Sequence, residues 1–233
     1  MMKTKNPLVS VLMHNYNNEA YLGEAIESIL NQTFKDFELV IVDDGSNDQT
    51  LEILTQYSNL NVILRQHKNT ATALNRGIEQ SSGQWVKLFG SDDIMLPDCL
   101  KNFIENVSTA NAIYYSDYIV IKRDGSESVY EAPEFPICNQ YKELYRKFYG
   151  GPPFIHRSLF EKYGLFDESL PYAEDYEWYL KVVGSGVQMI RLPYVTFKFR
   201  IHKGQNTNIY GNTLNDEIRS RYANPFSESV TKV

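Results

Sequence analysis

The stretch WVKLFGSDDIMLPD, residues 85–98, decides how the rest of the chain is read. Trp85, Val86, Leu88 and Phe89 are β-formers with little polar interruption, the run of a strand buried in a sheet. The run breaks at Gly90-Ser91 and delivers two adjacent carboxylates, Asp92 and Asp93, ahead of an apolar patch and Pro97. Ligands of open α/β sheets gather at the carboxyl ends of strands, which makes this a natural cation site. Adjacent carboxylates repel unless they are protonated, hydrogen-bonded or bridged by a cation such as Mg2+ or Mn2+. Ser-Asp-Asp is equally a turn and the N-cap of a following helix, and this stretch alone does not choose.

Upstream, residues 8–13 read as a buried strand ending at His14-Asn15-Tyr16-Asn17-Asn18. From Glu19, apolar residues at Leu22, Ala25, Ile26, Ile29 and Leu30 recur near helical period. Residues 37–42 form a second strand that ends in Asp43-Asp44-Gly45-Ser46. A helix over 49–57, a short strand over 62–64 and a helix over 72–80 follow. Strands alternating with helices of this length imply an α/β fold, a mostly parallel central sheet flanked by helices. Three strand ends then bring polar residues to one edge: His14/Asn15, Asp43/Asp44 and Asp92/Asp93. That set points to a nucleotide-type site. Neither GxGxxG nor GxxxxGK[ST] follows the first strand, so it is neither a dinucleotide site nor a P-loop. Acids would divide the task, one accepting hydrogen bonds from base or ribose and another holding a metal against the phosphates.

The composition agrees with a soluble globular protein. A chain of 233 residues, 42% hydrophobic, can bury a substantial core as one larger domain. Cys99 and Cys138 lie far apart without metal-ligand spacing, which suggests a reducing compartment. The apolar run at residues 8–13 is too short for a signal sequence and no segment approaches a membrane span, so a cytoplasmic protein is expected. A net charge of −6 argues against nucleic acid as partner.

Two longer stretches carry a resemblance. PLVSVLMHNYNNEAYLGEAIESILNQTFKDFELVIVDDGSNDQT, residues 7–50, resembles the opening of the inverting family 2 glycosyltransferases, which have the GT-A fold. NRGIEQSSGQWVKLFGSDDIMLPDCL, residues 75–100, is similar to that family's segment ending in the DxD-type metal motif. The resemblance runs continuously over about residues 7–103. It implies that Asp43 contacts the nucleotide base. It also implies that Asp92 and Asp93 share the ribose and a divalent metal, Mn2+ or Mg2+, holding the diphosphate of the sugar donor. Asp44 takes a structural or hydrogen-bonding role, and Arg76 touches the nucleotide or pairs with a strand-end carboxylate. Two departures stand out. Gly90 occupies a position where many relatives have Asp, which leaves open which of Asp92 and Asp93 ligates the metal. His14 and Asn15 stand where Pro and a small residue are common, and His14 reads as a hydrogen-bonded strand-end residue rather than a catalyst.

The second half continues with a helix over 96–107, strands over 112–115 and 118–122, and an irregular stretch over 130–149 containing a short helix over 140–148. That stretch is expected near the acceptor. A strand over 154–157 and a helix over 159–163, capped by Ser158, lead to LFDESLPYAEDYEWYLKV, residues 165–182. Apolar spacing beyond Asp175 makes Glu174-Asp175 the opening of a helix, where the dipole alone would stabilise both acids. The dipole also keeps such an acid ionised, as a general base needs. The segment resembles the family's acceptor-side motif, which implies Asp175 as the base that activates the acceptor hydroxyl and Glu174 as its neighbour or an acceptor contact. Strands over 187–190 and 195–199 precede RIHKGQN, residues 200–206, similar to a family segment near diphosphate and metal. It implies His202 as a third metal ligand and Lys203 as balance for phosphate charge.

The expected organisation is one GT-A domain over 1–208, with a nucleotide-binding half (7–103), an acceptor-side half (104–208) and a tail over 209–233. The expected function is inverting transfer of a sugar from a nucleotide-diphosphate donor, UDP-sugar favoured, to an acceptor hydroxyl. The acceptor would be a carbohydrate or a lipid-linked sugar of surface polysaccharide or glycolipid synthesis, reached at the inner face of the membrane by peripheral contact. Two alternatives are weighed. A nucleotidyltransferase requires a basic, Gly-rich triphosphate loop after the first strand, and His14-Asn15-Tyr16-Asn17 is not one. A relative that binds sugar nucleotides with weak or no catalysis predicts a missing acceptor-side base, yet Asp175 is present.

Overall fold

The computed structural model describes residues 6–58, 60–135, 139–146, 151–205 and 213–222. The first half alternates as its apolar periods require. β1 (Val9–Asn15), β2 (Phe37–Asp43), β3 (Asn61–Leu64) and β4 (Trp85–Gly90) are joined by α1 (Glu19–Leu30), α2 (Thr50–Leu54) and α3 (Thr70–Gln80). β3, β2, β1 and β4 lie side by side and parallel. Their register aligns the strand ends: Asn15 pairs with Asp43, His14 with Gly90, and Asp43 with Leu64. Successive side chains of a strand face opposite ways. Val9, Val11 and Met13 therefore join one apolar layer with α1 and Trp85, while Leu12, Val40 and Val42 join the other with α3. Lys87 is in phase with Trp85 and Phe89 and fully buried, its ammonium donating to the Pro152 carbonyl at 2.5 Å.

The second half turns the sheet mixed. β5 (Ile94–Met95) and α4 (Cys99–Asn106) lead into β6 (Ala112–Ile121) and β7 (Glu127–Tyr130). After α5 (Gln140–Arg146) come β8 (Phe154–His156), α6 (Arg157–Tyr163), α7 (Glu174–Gly184) and β9 (Gln188–Arg200). β8 joins antiparallel between β4 and β6, β9 runs parallel to β6, and β5 and β7 pair antiparallel with β9 and β6. Parallel pairing thus dominates the first half of the fold and antiparallel pairing the second.

Two pairs of expected strands merge. Residues 112–115 and 118–122 belong to one strand, β6, whose register with β9 shifts around Asp117. Residues 187–190 and 195–199 likewise lie in β9, because Leu192 pairs with Ser116 and Val195 with Asp117, leaving Pro193 and Tyr194 outside the ladder. A proline without an N–H is tolerated at such an irregularity. α6 is capped by His156, not Ser158: the imidazole accepts from the Ser158 N–H. β5 and β7 have too few residues to show a period in the sequence.

Of the tail, α8 (Thr213–Ser220) docks on the back of α7. Ile218 is completely buried, and Arg219 donates to the Tyr145 carbonyl (2.8 Å) and the Tyr176 hydroxyl (3.0 Å). Cys99 is buried and its thiol pushed up by burial, as an inert core thiol is; Cys138 lies outside the described residues. None of the described helices is long and apolar enough to cross a membrane.

Candidate active site

A cleft of about 620 Å³ opens where the strands of the parallel half end. On one side of it the DDGS turn closes on itself. Asp43 is buried, and its carboxylate accepts from Asn15 Nδ2 (2.9 Å), Ser46 Oγ (2.6 Å) and Ser46 N (3.1 Å). Asn15 and Ser46 thereby hold the Asp43 carboxylate within the turn. Asp44, one residue on, is part of the cleft wall. Its Oδ2 lies 2.9 Å from His67 Nδ1 and accepts from Lys68 N (3.2 Å), while Arg65 Nη1 stands 3.5 Å from Oδ1. His67 in turn stacks on Tyr16, ring centroids 4.0 Å apart. Gly45 permits this arrangement: its φ is +79° and a Cβ there would come within 2.7 Å of His67 N. His14 also faces the cleft. Burial pushes its imidazole below the usual histidine range, against the charges of Asp44, Asp92 and Asp43, and its Nε2 has no hydrogen-bond partner among the described residues.

The carboxylate pair sits beside this wall. The short pairing of β5 with β9, Ile94 opposite Lys198, draws residues 92 and 93 against the segment after β9. Asp93 is buried and accepts from Arg200 N (3.1 Å), while Asp92 Oδ2 meets His202 Nε2 at 2.9 Å. The Gly204 N–H approaches His202 Nδ1 (3.3 Å), which orients the ring with Nε2 toward Asp92. Burial, and then the charge of Asp92, hold the Asp93 carboxyl well above the usual carboxylate range. Such a pair seeks a proton or a cation. A Cβ at Gly90 would lie 2.7 Å from Asp92 Oδ1 and 3.3 Å from Asp93 Oδ2.

Among the described residues no group of three or more His, Cys, Asp or Glu side chains is arranged to hold a metal ion. Mg2+ and similar hard cations usually take one or two protein carboxylates and complete their shell with water and substrate phosphate. Asp92 and Asp93, with His202 beside them, are the groups that such a shared shell would draw on.

Across the cleft, α7 opens with the second acid pair. Ala173 precedes it in the left-handed region, φ +62°, a conformation that costs a non-glycine residue roughly 1–2 kcal/mol. Glu174 is buried, and burial followed by the charge of Asp175 pushes its carboxyl up to about 8. Asp175 is raised to about 6 by burial, against the pull of the Tyr176 N–H that Oδ1 accepts at 2.8 Å. Near neutral pH this leaves one protonated and one ionised carboxyl side by side, the pattern of an acid/base site.

Asp92, Asp93, His202, Glu174 and Asp175 thus share one cleft. Arg76 is elsewhere: half-exposed, it pairs with Glu79 (3.2 Å) and borders a separate depression with Ile63, Arg65 and Glu168. Helical geometry puts position 76 on the outer face of α3. Lys203 is exposed, and the lysine on the cleft wall is Lys68. The loop after β3, residues 65–69, escaped the sequence reading. Yet it follows a strand of the same sheet, and the rule that drew attention to the other strand ends applies to it equally.

The glycosyl transferase family 2 profile matches residues 10–166. An uncharacterised glycosyltransferase of Rickettsia prowazekii is 31% identical over 222 residues, covering 91% of this chain and 69% of the relative. A putative teichuronic acid biosynthesis glycosyltransferase of Bacillus subtilis, TuaG, is 31% identical over 141 residues, 57% of this chain and 56% of that protein. Among solved structures, S. aureus TarS (residues 1–349) superposes with a TM-score of 0.67 at 25% identity, over 82% of this chain and 60% of that one. TarS has also been solved with UDP-GlcNAc. The mannosyltransferase PcManGT of Pyrobaculum calidifontis, solved with GDP-Man and Mn2+, shares the fold at a TM-score of 0.63 and 21% identity. The chain spans about 60% of the length of these solved structures. With a GT-A sheet, carboxylates at its strand ends and a profile that covers most of its length, the chain belongs to glycosyltransferase family 2.

Proposed function

We propose that the cleft binds a nucleotide-diphosphate sugar, UDP-sugar favoured, and transfers the sugar with inversion to a hydroxyl of a surface polysaccharide or lipid-linked acceptor. The observation that carries this reading is the meeting of two acid centres on one cleft: Asp92 paired with His202, and Glu174 beside Asp175. The base lies against Asp44 and the stacked Tyr16 and His67, with Asp43 keeping the turn closed behind them. Asp92, Asp93 and His202 would hold Mn2+ or Mg2+ together with diphosphate oxygens, where the cation supplies charge neutralisation for the leaving group. The nucleotide sugars and the Mn2+ bound by fold neighbours support that donor and that ion class.

In the reaction, Asp175 accepts the proton of the acceptor hydroxyl as its oxygen bonds to the anomeric carbon. The bond from that carbon to the diphosphate oxygen breaks on the opposite face, and the nucleoside diphosphate leaves. Glu174, protonated near neutral pH, is available to donate a hydrogen bond to the acceptor. Asp175→Asn tests this reading. Release of nucleoside diphosphate from the sugar nucleotide turned over fastest in a panel is expected to fall by about 10²–10⁴-fold with unchanged nucleotide affinity. Turnover at the wild-type rate would refute Asp175 as base.

A further inference from the structure

The Asn75-Arg76-Gly77 motif carries a second role, and it belongs to Asn75. This residue is 4% exposed and forms no part of the cleft wall. Its amide is engaged at both ends. Oδ1 accepts from Phe166 N (3.0 Å), and Nδ2 donates to Phe166 O (3.0 Å) and Glu168 Oε1 (3.1 Å). An asparagine amide has the donor and acceptor of a peptide group, so it pairs with Phe166 as a neighbouring strand would. Asn69, the N-cap of α3, extends the contact. Its Oδ1 accepts from Thr72 N (2.9 Å), while Nδ2 donates to Glu168 O (2.9 Å) and Leu170 O (3.3 Å). Lys68 adds an ion pair to Glu168 at 3.1 Å. Three carbonyls and one N–H of the segment from Phe166 to Leu170 are therefore held by the start of α3. Four residues after Leu170, past the left-handed turn at Ala173, the chain delivers Glu174 and then Asp175. The other side of the same loop touches the donor wall, where Lys68 N donates to Asp44 and His67 pairs with it.

We infer that Asn75 and Asn69 are positioning residues: α3 braces the segment before α7 and sets the distance of Glu174 and Asp175 from the donor wall. The inference rests on Asp175 as the acceptor-side base. A group displaced by about 1 Å can cost about 100-fold in rate without weakening binding.

The test compares nucleoside diphosphate release from the preferred sugar nucleotide with calorimetric affinity for that nucleoside diphosphate in Mn2+. Asn75→Leu keeps the volume and removes all three hydrogen bonds; kcat is expected to fall about 10–100-fold while affinity stays within about twofold. Asn69→Ser guards against a folding failure. Serine keeps the cap on Thr72 but lacks both amide donors, and kcat is expected to fall about 3–10-fold at unchanged affinity. A merely structural role would lower the melting temperature, and kcat and the calorimetric binding stoichiometry would fall together with the folded fraction. Wild-type kcat in folded Asn69→Ser, or affinity lost in step with kcat, would overturn the brace. Asp175→Asn run in parallel separates the two ideas. If it retains turnover, the base assignment fails; if it loses turnover while the asparagine variants do not, only the brace fails.

Discussion

Replacing Glu174 by glutamine should stabilise the protein at neutral pH while impairing its chemistry. The carboxyl has an ordinary value of 4.5 and is pushed up to about 8, by burial first and by Asp175 second. The sign follows from linkage. A group whose folded value is raised contributes stability that is fully present below the unfolded value and lost as pH climbs to the folded one. Each pH unit inside that window is worth about 1.4 kcal/mol, so at pH 7 the buried carboxyl costs at most about 3 kcal/mol relative to pH 4. Glutamine has nearly the same shape and does not titrate. Allowing for relaxation around the site, a gain of about 1–2 kcal/mol is expected at pH 7, or about 2–8 °C in melting temperature for a chain of this size. Calorimetric melting of both proteins from pH 4 to pH 9 is the assay. The two curves should coincide near pH 4, separate as pH rises and run parallel above pH 8. A difference that is constant with pH, or largest at pH 4, would refute the assignment of the raised carboxyl to Glu174.

Other perturbations follow from the same geometry. With Asp175 raised to about 6, donor turnover should rise as pH climbs through about 6, and that limb should vanish in Asp175→Asn; a rate profile flat from pH 5 to pH 8 would contradict it. Gly90→Ala puts a Cβ 2.7 Å from Asp92 Oδ1 and should weaken Mn2+-dependent nucleotide binding about tenfold, with thermal stability little changed. Titration calorimetry showing equal or tighter binding would mean that the carboxylates do not need that space. Arg219→Ala removes the link from α8 to Tyr145 and Tyr176 and should cost about 1–2 kcal/mol of stability, measured by denaturant unfolding. A loss below about 0.3 kcal/mol would show that these hydrogen bonds do not hold α8 in place.

Local periodicity and turn chemistry carried much of this structure in plain view. α1 could be bounded from its apolar spacing because a long amphipathic run between polar ends leaves one way to bury a face. The strand ends at Asn15, Asp43 and Gly90 were legible because buried parallel strands are continuous apolar runs whose ends stand out. The acid pair at the start of α7 was legible for a similar reason: helical period resumes directly after it. By itself, then, the chain determined the alternating first half, the edge at which polar residues collect, and the identity of both acid pairs.

What the tertiary structure decided is how those residues are used. Asp43 and Asp44 are indistinguishable in a sequence. Only the fold turns one toward Asn15 and Ser46 and the other to the cleft beside His67. Asn75 and Arg76 are neighbours whose roles divide because adjacent helical positions point to different faces, one into the segment before α7 and the other to solvent. The meeting of Asp92 with His202, 110 positions away, hangs on two residues of β5 pairing with β9. Such contacts are fixed by long-range strand register, and register is a property of the partner strand rather than of the residues brought together.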